Sequence, residues 1–214
     1  MLTKFKFIKQ NLKKNLVFFY NQSNIKSSLS EYLSNYQLSQ IKNIISDNKS
    51  EDQDFSIFNL NSSQKIIIIN VKDIFDNLKN EKIGAKLYDF LKKNHINELN
   101  VLERNIDTIC NKNKIFLNDV LLGFKIKSYN FNKYKTNTKN KLITIFLPKN
   151  FQRLLNQKHS KHVSLLDGIQ LTKDLVSEPG NILHPDEYVN RLKKLRSIGL
   201  KITIFDKKNL KNLE

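Results

Sequence analysis

Few side chains in these 214 residues stand at spacings that could do chemistry. His159 and His162 lie three apart, which would put both imidazoles on one helix face and within reach of a metal. No Cys, Asp or Glu stands beside them at ligand spacing, so they read as surface histidines. Asp174 and Glu178 are related as i and i+4 and could pass for paired acid–base carboxylates. Cys110 has no nearby histidine to activate it as a nucleophile. Tyr129, Phe131 and Tyr134 alternate with Lys133 and Lys135, the mixture that nucleic-acid surfaces use. Their strand-like alternation favours Tyr129 and Phe131 as anchors packing this segment onto a core.

The composition bounds what these residues can belong to. Hydrophobic residues make up 39% and aromatics 10%, enough for a sizeable core and too many for a disordered chain. One cysteine excludes an internal disulfide and a Cys-based zinc ribbon, and it fits a reducing compartment. No apolar run is long enough for a signal peptide or a membrane span, so the expectation is a cytoplasmic protein with no membrane partner. The net charge of +17 could hold DNA or RNA through phosphate contacts. However, only Arg104, Arg153, Arg191 and Arg196 among the 37 basic residues are arginine, and the lysines are spread along the whole length. Ala85 is the single alanine. This is the pattern of an AT-rich coding sequence and a lysine-coated solvated surface, and it leaves nucleic acid as a secondary, unfavoured partner.

The elements that would position these residues follow from apolar periodicity. It predicts strands at 15–21, 54–60, 65–71, 96–102, 141–147 and 201–205, and helices at 30–46, 74–93, 114–128, 151–177 and 185–198. Helices alternating with strands argue for a layered α/β fold. Residues 56–70 read as two strands around a short polar turn, hence one antiparallel hairpin. Ile66 to Ile69 are apolar without alternation, as in a central strand covered on both faces. Ser30 followed by Glu31 marks a helix start, and Pro148 a strand end. A change of character after Asn150 divides the chain into a domain at 1–150 and a linker helix with the start of a second domain at 151–214. The five glycines, at 84, 123, 168, 180 and 199, are scattered, which counts against a phosphate-binding loop.

The densest segment is Asp167-Gly-Ile-Gln-Leu-Thr-Lys-Asp-Leu-Val-Ser-Glu-Pro-Gly-Asn-Ile-Leu-His-Pro-Asp-Glu-Tyr. Pro179 stops a helix, Gly180 and Asn181 permit a turn with positive φ, and Pro185 opens the next helix with Asp186 and Glu187 at its positive end. Gly199 then stands where that helix would close, and Leu200-Lys-Ile-Thr-Ile-Phe reads as a strand entering a new sheet.

Lys173-Asp-Leu-Val-Ser-Glu-Pro-Gly-Asn181 with Pro185 resembles the segment that opens the catalytic domain of the leucyl aminopeptidase family, with Ser177 where the family more often has Asn. Two weaker matches lie in the expected order: Gly123-Phe-Lys-Ile-Lys-Ser-Tyr-Asn-Phe-Asn-Lys-Tyr-Lys-Thr136, and residues 200–213. The resemblance implies a three-layer, macro-like N-terminal α/β domain with a mixed sheet, followed by the first helices and strand of an α/β aminopeptidase catalytic domain. It also implies an exopeptidase acting on peptide substrates with two divalent cations, Mn²⁺ or Zn²⁺, and a homo-hexamer when complete. The family draws its ligands and its catalytic arginine from a Gly-Lys-Gly-…-Phe-Asp segment, a Lys-x-Asp-Met segment and an Asn-Thr-Asp-Ala-Glu-Gly-Arg segment. None of the three occurs here. No catalytic, metal-binding or cofactor-binding residue is therefore assigned, no cation is expected on this chain, and the 214 residues are expected to be inactive alone. The resemblance makes Lys173, Asp174 and Glu178 structural, capping or bridging the Pro179 turn. Two other readings stand beside it, a non-catalytic assembly or regulatory module and a DNA-binding accessory protein.

Overall fold

Ile66, Ile67, Ile68 and Ile69 are all buried, and they sit on a strand with a neighbour on each side. The computed structural model describes residues 3–9, 13–20, 29–47, 54–72, 75–136, 141–152, 161–206 and 209–210. It divides into two compact units, 1–167 and 168–214.

The first unit is built on six strands. These are β1 (Thr3–Ile8), β2 (Leu16–Tyr20), β3 (Phe55–Asn59), β4 (Lys65–Asn70), β5 (Glu98–Val101) and β6 (Ile143–Pro148), in the order β1-β6-β5-β2-β4-β3. All neighbouring pairs are parallel except β3 with β4, the expected antiparallel hairpin, in which Phe55 faces Ile69 and Asn59 faces Lys65. Parallel neighbours require crossovers, supplied in part by α1 (Asn35–Asp47), α2 (Asn77–Lys93), α3 (Glu103–Cys110) and α4 (Phe116–Lys127).

Strand alternation sorts the core into two layers. Val17, Phe19, Ile67 and Ile69 point into one cluster with Leu87 and Leu91 of α2, Ile106 of α3 and Val120 and Phe124 of α4. Leu16, Phe18, Ile66 and Ile68 point to the other face, against Leu38, Ile41 and Ile45 of α1. A sheet packed on both faces is a three-layer α/β fold, and it explains the unbroken apolar run of β4. Each such side chain contributes roughly 1.5–3 kcal/mol by leaving water.

Three features depart from the sequence expectations. The start of α1 is not at Ser30: Ser34 caps it, its Oγ accepting from Gln37 N at 3.3 Å while Gln37 Oε1 accepts from Ser34 N at 3.0 Å. This reciprocal pair meets two backbone donors that Ser30 and Glu31 do not reach. β1 and α3 were both unforeseen. β1 lies at an edge, where alternate Lys4 and Lys6 dilute the apolar signal, and α3 is eight residues long, too short for a clear period. Asn105 on α3 extends the pairing of β2 beyond the end of β5: its Oδ1 accepts from Phe19 N and its Nδ2 donates to Phe19 O, both at 2.9 Å.

The second unit contains the later part of α5 (Lys161–Ser177), then α6 (Pro185–Lys193) and a 3₁₀ turn at Lys194–Ile198. Gly199 closes it at φ 91°, with Leu200 N donating to Leu195 O at 3.3 Å, the left-handed cap expected there. The strand expected at 201–205 is not formed. Ile202 and Ile204 are half-buried and their neighbours exposed, the strand-like alternation, but among the described residues no strand offers them a ladder.

Candidate functional site

Two charged constellations lie where chemistry would have to occur. The first is created by a close crossing of α2 and α4. Gly84 and Gly123 face the opposite helix so tightly that a Cβ on Gly84 would stand 1.9 Å from Val120 O, and one on Gly123 1.9 Å from Glu81 O. With no side chains between them, the helices bring Asn80 and Glu81 beside Asp119. Asn80 Nδ2 donates to Asp119 Oδ2 at 3.4 Å, and Asp119 Oδ1 meets His162 Nε2 at 2.6 Å. Asp119 is 2% exposed at its side chain, so the imidazole gives a buried carboxylate its partner. Burial, and next the nearby Asp119 charge, raise the Glu81 carboxyl above the usual range, with His162 acting in the opposite sense. A shallow cavity of about 70 Å³ lies alongside, lined among others by Phe5, Leu121, Lys125, His162 and Leu166. Burial lowers the Lys125 ammonium below its ordinary value.

The second constellation lies in the Glu-Pro-Gly-Asn segment. Pro179 ends α5, and its carbonyl accepts from Ile182 N and Leu183 N, both at 2.9 Å. The expectation of positive φ at Gly180 or Asn181 is corrected: Gly199 is the one positive-φ glycine among the described residues, because a turn closed by the Pro179 carbonyl keeps ordinary dihedrals. Pro185 takes the first position of α6 with Asp186 and Glu187 in its first turn, as the sequence predicts. Arg191 then reaches back, its Nη1 donating to Glu178 Oε1 at 2.8 Å and its Nε to Glu187 Oε1 at 2.9 Å. The Glu178 side chain is 1% exposed. The hydrogen bonds to Glu187 and Glu178 hold the guanidinium firmly protonated, and the Arg191 contact keeps the Glu187 carboxyl below the usual range. This fork, anchored on the buried Glu178, fixes α6 against the end of α5.

Asp174 is exposed on α5, whereas Glu178 is buried and held by Arg191, so the two carboxylates stand in different surroundings. His159 lies outside the described residues. His162 is not the surface histidine expected, because the Asp119 carboxylate draws it inward. Cys110 is buried, and burial pushes its thiol up to about 11. Phe131 packs edge-on against Tyr134 at 5.8 Å and is half-buried, with Lys133 over the Tyr134 ring. Sequence reasoning missed Asp119 and Glu81. The available signal was a single acid, beside Asn118, inside the largely apolar run from Phe116 to Phe124.

No family model matches the chain. Among curated proteins, it is 38% identical over 101 residues to a probable cytosol aminopeptidase of Phytoplasma mali, covering 44% of this chain and 20% of that protein. It is 39% identical over 97 residues to the one of Phytoplasma australiense, covering 43% and 19%. Over that stretch the chain is similar to cytosol aminopeptidases. The alignment spans about a fifth of the curated relatives' length. The fold agrees: a tomato leucine aminopeptidase mutant superposes with a TM-score of 0.63 at 17% identity, over 99% of this chain and 45% of that one. The cytosol aminopeptidase of Coxiella burnetii gives 0.59 at 15%, over 99% and 41%. BotP, a bottromycin maturation enzyme in complex with Mn, gives 0.53 at 9%, over 94% and 40%. The mixed sheet with helices on both faces is thus a fold this chain shares with those solved aminopeptidases. Among the described residues, no group of three His, Cys, Asp or Glu side chains is placed to hold a metal ion. No described helix is long and apolar enough to cross a membrane.

Proposed function

We propose that the chain is the N-terminal portion of a leucyl-type aminopeptidase, an enzyme that releases N-terminal residues from peptides with two divalent cations, Mn²⁺ or Zn²⁺. In this reading residues 1–150 are the macro-like N-terminal domain, residues 151–214 begin the catalytic domain, and these 214 residues by themselves turn nothing over. The complete protein would be a cytoplasmic hexamer. The identity of 38% over 101 residues to a probable cytosol aminopeptidase carries the reading.

The charged groups of the chain support a scaffold role. A binuclear centre needs several carboxylates free to ligate hard cations and share a bridging water. Here Glu178 and Glu187 are both taken up by the Arg191 fork, and Asp119 by His162. Recruiting them would strip the buried Glu178 and Asp119 carboxylates from the partners that hold them. The Glu178–Arg191–Glu187 fork instead orients α6 relative to the turn at Pro179, which would set the direction in which a catalytic sheet enters.

A chimera tests this. The aligned 101 residues of this chain would replace their counterpart in the Phytoplasma mali relative, and Mn²⁺-dependent release of leucine from a dipeptide would be followed. A soluble chimera that keeps chelator-sensitive activity is expected. A soluble, assembled but inert chimera would contradict the proposal.

A further inference from the structure

The carboxyl end of β4 opens into a cleft that the aminopeptidase reading does not use. Asn70 closes the strand, Lys72 follows it, Lys79, Lys82 and Lys86 project from α2, and Asp54 stands ahead of β3, around a cavity of about 150 Å³. The cluster exceeds the general lysine coat of the surface. Lysine is fewer than one residue in six of the chain, yet it supplies four of the seven that line this cleft.

Two elements converge to build it. The spacing of Lys79, Lys82 and Lys86, at i, i+3 and i+7, puts three ammoniums on one face of α2, an arrangement that disfavours the bare helix because like charges at these spacings repel. Carboxylates fix two of them: Asp54 holds Lys86, and Asp76 holds Lys79 at 3.5 Å. Asp76 also caps α2, accepting from Lys79 N, and that hydrogen bond keeps its carboxyl below the usual range. The cleft therefore gathers ammoniums whose converging charges attract an anion more strongly than a lone surface lysine does. Its place, beyond the carboxyl end of a parallel strand, is where open α/β sheets take ligands.

We propose that this cleft binds a compact, multiply charged anion of the phosphate or pyrophosphate type, held by Lys72, Lys79, Lys82 and Lys86. Four cations around so small a volume match clustered oxygens, and Asn70 adds a neutral hydrogen-bonding group. The site is independent of peptide hydrolysis.

Calorimetric titration of the whole chain with inorganic pyrophosphate at constant ionic strength tests it. Saturable binding of one equivalent is expected. Lys72→Gln with Lys82→Gln should weaken it at least tenfold, and Lys72→Arg with Lys82→Arg should restore it. Lys92→Gln with Lys93→Gln, at the far end of α2, should leave it unchanged. The proposal is overturned if no saturable heat appears or if both glutamine pairs lose affinity equally. It is also overturned if a single-stranded oligonucleotide binds the cleft more tightly than pyrophosphate, which would make it a polynucleotide surface.

Discussion

Cys110 shows how far burial sets the chemistry of a single residue here. With its thiol pushed up to about 11, the fraction present as thiolate at pH 8 is roughly a hundredfold or more below that of an exposed cysteine. We expect labelling by a thiol-specific disulfide reagent to be slow by that factor in the folded chain and complete in denaturant. Rapid stoichiometric labelling without unfolding would show that the thiol is open. Glu81 carries a different sign. Its folded carboxyl is raised by burial and by Asp119, so the folded state holds the proton more tightly than the unfolded one. Stability from this group is then present below the ordinary carboxylate pKa and lost as pH rises through the elevated one. Glu81→Gln should therefore stabilise the chain at pH 7, and the gain should vanish as the pH falls toward 4. Denaturant midpoints of the two proteins across that range check this, and a gain independent of pH would refute it.

At the scale of elements, the crossing of α2 and α4 is the feature on which the charged cluster depends. Gly123→Ala would drive a methyl into the Glu81 carbonyl, a backbone atom that cannot swing aside, and should cost about 1–3 kcal/mol. Equilibrium unfolding measures that loss, and a variant as stable as the parent would show that the crossing is looser than described. The glycine spacing alone could not disclose this, because a helical glycine is as compatible with an exposed face as with a close approach. Elements with strong patterns were legible: β4 follows from its unbroken apolar run, the hairpin of β3 and β4 from the polar turn between two apolar segments, and the long α2 from its helical period. β1 and α3 were not, one because an edge strand tolerates lysine on its open side, the other because eight residues give barely two turns. The strand at 201–205 failed for a different reason. Its alternation is present, but a ladder needs a partner, and the local sequence does not encode one. The same limit hid the site. Asp119, Glu81 and His162 are tens of residues apart, and only tertiary packing joins them. The Glu178–Arg191 fork was half legible: the motif marked Glu178 as structural, but not the arginine thirteen residues on that holds it.

For the whole molecule, the two units differ in how well they cover their apolar surface. The first has a two-faced core. In the second, Val176 is 80% exposed and Ile198 73%, with Leu200 and Phe205 more than half exposed. Among the described residues beyond Leu166 no hydrophobic side chain is fully buried, and a segment with so little buried apolar contact opens locally at low cost. Limited proteolysis should accordingly leave a resistant core close to residues 1–148 and remove the remainder, read by intact-mass spectrometry. Resistance of all 214 residues under the same conditions would contradict that expectation. In the proposed reading the chain is scaffold rather than catalyst. The most direct measurement is the hydrolysis of leucyl-aminomethylcoumarin by the purified 214-residue chain in Mn²⁺ or Zn²⁺, with and without chelator. No release above the metal-only blank is predicted. Turnover that the chelator abolishes would place a working metal centre among residues assigned here to structure.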